Sequence, residues 1–185
     1  MSELFSIQLQ NRQQQGRDGV WLDLPTTTEQ VQAALRQIGI SSDNPQGLFI
    51  SGYFAEEEKR IAIPYNMVLA SSVDELNFLA ARLETLSAGE RAELNAALQT
   101  PQGELSSIGR ITDFPENVEY YVHLPDVRGP VQLGDYYLNR SGMVDMPDEW
   151  KGGIDTAQFG RYVAHQEQGA FTQYGYLVKS GDEWQ

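Results

Sequence analysis

The sequence predicts an α+β protein organised as three small domains. Strand-like alternation surrounds one helical stripe up to about residue 66. Two capping boxes open consecutive helical stripes between residues 67 and 113, and strand and helix patterns mix again from residue 114 onward. The expected domains are therefore 1–66, a small sheet with one helix; 67–113, a helical bundle; and 114–185, a second α+β unit. A chain of 185 residues that is 41% hydrophobic can supply folded cores for such units.

In the first domain, Phe5-Ser6-Ile7-Gln8-Leu9 alternates apolar and polar side chains, turn residues follow from Asn11 to Gly19, and Val20 to Leu24 resumes the strand pattern. Pro25 ends that run. Thr26 and Glu29 match a capping box, and Val31, Ala34, Leu35 and Ile38 form the apolar stripe of a helix stopped at Gly39. A further strand runs from Leu48 to Phe54, and the domain closes near Pro64.

In the second, Ser72 and Glu75 form a capping box ahead of Leu76, Leu79, Ala80, Leu83 and Leu86. Ser87 and Glu90 form another ahead of Leu94, Ala97 and Leu98, so an antiparallel helix pair is expected, followed by a shorter helical piece from Leu105 to Ile111. In the third domain, Val118, Tyr120 and Val122 suggest a strand. Val131 to Asn139 reads as a helix ending near Gly142, and Asp155 to Gln166 as a helix capped by Asp155 and weakened by Gly160. A single strand is expected from Ala170 to Lys179.

The charge is the most informative feature of the composition. There are 26 acidic residues against 13 basic ones, a formal net charge of -13. Residues 1–66 carry 8 acids and 5 bases, residues 67–113 carry 7 and 3, and residues 114–185 carry 11 and 5, so every domain is negative. Acids interleaved with apolar residues belong to folded surface rather than to an acidic tail. The long-range field repels nucleic acid, since each phosphate contact needs a cation, and it favours cationic partners.

Catalytic and metal chemistries find little support. The chain has no cysteine, no Gly-x-Ser-x-Gly and no glycine-rich phosphate loop. His123 and His165 stand apart from any serine pattern, and His-Glu-x-x-His is absent. The stretch SGMVDMPDEWKGGID at residues 141 to 155 concentrates Asp145, Asp148, Glu149 and Asp155 beside Lys151, but lacks the alternation of a calcium loop. Trp21 fits a core-strand pattern and Trp184 a frayed end, so neither marks a sugar site. No enzyme activity, metal or cofactor is expected. With no apolar run of 18 residues and no signal-like N-terminus, the expected location is the cytoplasm, away from membranes.

Spacing offers another use for the acids. Neighbouring side chains on one helix face lie about 5–6 Å apart at their β-carbons. Same-face residues of a strand lie roughly 7 Å apart. Both are near the spacing of phosphates along a DNA strand, so carboxylates can stand in for phosphates.

Several short motifs then occur in a telling order. Gly19 to Leu24, Leu48 to Tyr53, Glu75-Leu76-Asn77, Leu133-Gly134-Asp135-Tyr136-Tyr137, Met146-Pro147, Ile154-Asp155, Phe159-Gly160-Arg161, Gly169 to Thr172 and Tyr174-Gly175-Tyr176 together resemble ArdA-type antirestriction proteins over nearly the whole chain. Three acids usual in that family are replaced here by Gly52, Gln158 and Tyr162, which bears on potency or target preference rather than fold.

The resemblance implies an elongated, three-domain homodimer that mimics B-form DNA and occupies the DNA-binding groove of type I restriction-modification enzymes, on their methyltransferase core. Restriction is inhibited, and modification is left open. The phosphate-mimicking residues would be Asp74, Glu75, Glu84, Glu90, Glu93, Asp135, Asp145, Asp148, Glu149 and Asp155, with Glu56, Glu57 and Glu58 as lesser contributors. Leu133, Tyr137, Leu138, Met146 and Phe159 would pack within the motif or at the dimer contact. The alternatives are an acidic adaptor or inhibitor of another basic DNA-binding protein, without mimicry, and a carboxylate-dependent hydrolase.

Overall fold

A computed structural model describes residues 4–14, 18–41, 46–57, 60–100 and 103–185. The chain forms two compact units, one from residues 1–87 and 104–115 and the other from residues 88–103 and 116–185. Elements of the expected helical middle are thus shared between the two.

In the first unit, β1 (Phe5–Asn11), β2 (Val20–Leu24) and β3 (Leu48–Phe54) make an antiparallel sheet in the order β2-β1-β3. The alternation predicted for β1 sends Phe5, Ile7 and Leu9 into the core, where the register places Leu24 and Leu22 opposite Phe5 and Ile7. Between β2 and β3 lies α1 (Thr28–Gln37), which buries Ala34 and Leu35 and ends before Gly39, whose φ of 71° suits only glycine without strain.

The cap of α1 corrects the sequence expectation by one residue. Thr27 is the N-cap and Gln30 completes the capping box. Thr26 is held outside the helix because Asn77 clasps its backbone: the Thr26 amide donates to Asn77 Oδ1 at 2.7 Å, and Asn77 Nδ2 donates to the Thr26 carbonyl at 3.0 Å. The chain continues into α2 (Tyr65–Ala70), an element too short for its periodicity to be read from sequence, and α3 (Val73–Leu83). The expected Ser72–Glu75 box is formed, with the Ser72 amide donating to Glu75 Oε2 at 2.9 Å and the Glu75 amide to Ser72 Oγ at 3.2 Å. Leu76, Leu79, Ala80 and Leu83 face inward as one stripe. Next, α4 (Ala88–Leu98) belongs to the second unit, and α5 (Ile108–Thr112) returns to the first and packs on α3.

In the second unit, Val118–Tyr120 is a 3-10 turn and β4 spans only Tyr121–Leu124, a shorter strand than expected. After it come α6 (Pro130–Asp135), which runs directly into a π turn at Tyr136–Arg140, then the single-turn α7 (Asp148–Lys151) and α8 (Thr156–Glu167). The expected final strand is a hairpin of β5 (Ala170–Thr172) and β6 (Gly175–Lys179), giving a sheet ordered β4-β6-β5. Thr172 breaks it: its hydroxyl accepts from the Tyr174 amide at 3.1 Å and donates to the Gly175 carbonyl at 2.8 Å, while Gly175 takes a φ of 130°.

Gly160 does not merely weaken α8. A β-carbon there would lie 1.8 Å from the Pro130 carbonyl oxygen, and one at Gly134 would lie 2.0 Å from that of Thr156. The two glycines let α6 and α8 cross backbone against backbone. Val127, Leu133, Ala164 and Tyr176 form the core beneath the crossing. Glu167 closes it off, its carboxylate accepting the hydroxyls of both Tyr137 and Tyr176.

Candidate target-binding surface

One run of candidate acids starts where α6 passes into the π turn. Asp135 there is half-buried and locally compensated: Arg140 Nη2 and Asn139 Nδ2 each donate to it at 2.9 Å. Leu133 and Leu138 point into the core, and Tyr137, Met146 and Phe159 are half-buried. The chain beyond Ser141 exposes Asp145, then enters α7, whose first turn exposes Asp148 and Glu149. Carboxylates suit that place because a helix N-terminus carries partial positive charge. Lys151 Nζ lies 2.9 Å from Asp148 Oδ1, and this contact holds the Asp148 carboxyl below its ordinary pKa. Asp155, also exposed, caps α8 by accepting from the amides of Ala157 and Gln158, both at 2.9 Å.

The candidates on α3 and α4 divide by environment. Asp74 and Glu75 are exposed in the first turn of α3, and hydrogen bonds from the Ser72 backbone and side chain lower the pKa of Glu75. Glu84 is half-buried at the C-cap of α3, and Glu90 is half-buried in the first turn of α4. Glu93 differs most. Its Oε1 is shut away from solvent without a hydrogen-bond partner among the described residues, and desolvation, reinforced by Glu90, pushes its pKa up to about 7. At neutral pH it is charged only about half the time. Glu56 and Glu57 are exposed after β3, while Glu58 lies outside the described residues.

Other groups complete the inventory. Glu116, Glu119, Asp182 and Glu183 line one recess of about 650 Å³ in the second unit, a grouping that sequence separation concealed. The C-terminus there is not frayed. Trp184 lies edge-on to Tyr120 with ring centroids 5.2 Å apart, and the Gln185 amide donates to Asn117 Oδ1 at 2.8 Å. Trp21 is also corrected, being half exposed on the outer face of its sheet rather than in the core, because Leu22 and Leu24 take the inward positions of β2. His123 Nε2 is engaged with the Tyr174 carbonyl at 2.9 Å, and His165 is exposed on α8. Among the described residues no three His, Asp or Glu side chains are grouped to hold a metal ion, and no helix is long and apolar enough to cross a membrane.

Each unit carries exposed carboxylates on helix first turns or caps, and the motifs from Leu133 to Gly160 have defined structural work in their glycines and leucines. The family model described as "Antirestriction protein (ArdA)" matches residues 15–178. No curated protein matches the chain. The matched span takes in β2 through all but the last residue of β6, including the glycine crossing, the Asn77 clasp and the acid-bearing turns of α3, α4 and α7, and the chain therefore belongs to the ArdA antirestriction family, an inhibitor family that acts on restriction-modification enzymes.

Proposed function

We propose that this protein mimics B-form DNA and occupies the DNA-binding groove of type I restriction-modification enzymes, on the methyltransferase core, as a stoichiometric homodimeric inhibitor acting in the cytoplasm without a cofactor. The observation that carries the reading is the distribution of charge: a net of -13 with every third of the chain negative, and Asp74, Glu75, Asp145, Asp148, Glu149 and Asp155 all exposed at or near helix starts. A groove evolved for duplex DNA meets the same sign of field, and counterion release from both surfaces favours the complex at low salt. Glu84, Glu90, Glu93 and Asp135 contribute less, each being half-buried. The three-domain, elongated arrangement with boundaries near 66 and 113 belongs to this reading.

The dimer is supported by apolar exposure in the second unit, where Val131, Met143, Trp150 and Tyr162 all present large side chains to solvent. Leu133, Tyr137, Leu138, Met146 and Phe159 then act as packing for that contact. Phage plating on hosts with and without a type I system, with this protein expressed, tests the function: plating should rise only in the restricting host. Competition with duplex DNA for the purified methyltransferase core tests mimicry. Binding that DNA fails to displace would instead favour an acidic adaptor.

A further inference from the structure

We propose that the first unit carries a binding cleft for a small amphipathic anion, an apolar and preferably aromatic body bearing one carboxylate or sulfonate group. The cleft lies between α1, the start of β3 and the junction of α2 with α3, and measures about 660 Å³. Ligand clefts span roughly 300–1,000 Å³. Val31, Leu35, Phe49 and Leu69 supply an apolar wall. Among these, Leu69 is exposed and Val31 and Phe49 are half-buried, so the wall is accessible.

Arg12 provides the charge. Its guanidinium carbon sits 5.3 Å from the centroid of the Phe49 ring. A cation–π contact at that distance uses the charge and leaves the fork of N–H donors for a ligand. Arg12 is exposed and has no ion-pair partner among the described residues. In a chain of net charge -13 the overall field disfavours anions, so a guanidinium alone would not retain one. Apolar contact and the fork must act together, which selects an amphipathic anion over phosphate or another inorganic ion. Asp74 lines the same cleft and adds to the field that an inorganic anion would meet, while Gln32 supplies a polar rim for the ligand body.

The probes are 1-anilinonaphthalene-8-sulfonate and its uncharged parent N-phenyl-1-naphthylamine, titrated by fluorescence into the full chain. Saturable binding at one site per chain is expected for the sulfonate, without competition from inorganic phosphate. Arg12→Gln should weaken the sulfonate about tenfold, the scale of one charge-assisted hydrogen-bonded contact, and leave the neutral probe unchanged. Val31→Trp, which fills the cleft, should weaken both at least about tenfold. Leu69→Trp serves if Val31→Trp lowers the urea midpoint. Non-saturable binding, equal binding by wild type and the filled variant, or equal loss of both probes in Arg12→Gln would overturn the assignment.

Discussion

Asn77 holds the backbone of Thr26 from both sides, accepting from its amide at 2.7 Å and donating to its carbonyl at 3.0 Å. One side chain on α3 thereby fixes the point at which the chain leaves β2 and enters α1, 51 residues earlier. In the Glu75-Leu76-Asn77 motif all three residues then have distinct tasks: Glu75 closes the cap, Leu76 is buried and Asn77 makes the clasp.

Replacing Asn77 with alanine removes two hydrogen bonds and leaves two backbone groups to find water. At about 1 kcal/mol for each bond, the loss should be about 2 kcal/mol. Urea unfolding followed by circular dichroism measures it. Asn77→Asp keeps the acceptor but sets a carboxylate oxygen against the Thr26 carbonyl in place of the donor, and should cost at least as much as alanine near neutral pH.

Gly160→Ala tests the helix crossing. The added methyl would meet the Pro130 carbonyl oxygen at 1.8 Å, and backbone cannot yield as a flexible side chain can. Alanine ordinarily favours a helix over glycine by about 1 kcal/mol, so propensity alone predicts a more stable protein. The crossing should reverse that sign and cost about 3 kcal/mol or more, in the upper range of overpacked sites. A raised urea midpoint would show that α6 and α8 can separate without penalty.

The contrast between these two sites and the rest of the chain shows what the sequence makes legible. The strands Val20–Leu24 and Leu48–Phe54, and the Ser72 and Asp155 caps, are read correctly because their causes lie within four residues of one another. The Thr26–Glu29 box is displaced because its competitor, Asn77, is distant in sequence. The β5–β6 turn is hidden inside an apolar run, its only local marks being Thr172 and Gly175. Among candidate acids, spacing identifies which residues are carboxylates on helix starts but not which are compensated, since the π turn that brings Arg140 to Asp135 and the burial of Glu93 emerge only from the folded second unit.

Glu93 should make stability fall with rising pH in a defined window. Its pKa is raised by folding from 4.5 to about 7, so the native state holds the proton more tightly than the unfolded chain. The contribution is fully present below about pH 4.5 and is lost as pH climbs through 7. Glu93→Gln should be nearly neutral at pH 4.5 and stabilising by about 1 kcal/mol at pH 8, a figure kept well below the full shift because solvent reaches part of the carboxyl. The difference between the two urea midpoints, followed across that range, isolates this group from the background repulsion of the chain. A constant difference would mean that Glu93 is charged throughout.

Under the mimicry reading, individual acids should rank by how far the protein already neutralises them. Asp145 and Glu149 are exposed, whereas Asp148 shares its charge with Lys151, and Asp135 with Arg140. Amide substitution at Asp145 or Glu149 should therefore weaken inhibition more than the same change at Asp135 or Asp148, and each single effect should stay within the roughly 0.2–1 kcal/mol of an exposed ion pair. Asp155→Asn keeps a good N-cap, so it tests charge without unfolding α8. Combining Asp145→Asn, Glu149→Gln and Asp155→Asn should give losses that add, because distributed charge acts through its sum, and should flatten the salt dependence of inhibition measured by titration against a type I endonuclease. Complete loss of inhibition from one of these substitutions, with folding intact, would point to a single indispensable contact and against a surface that works by impersonating a phosphate backbone.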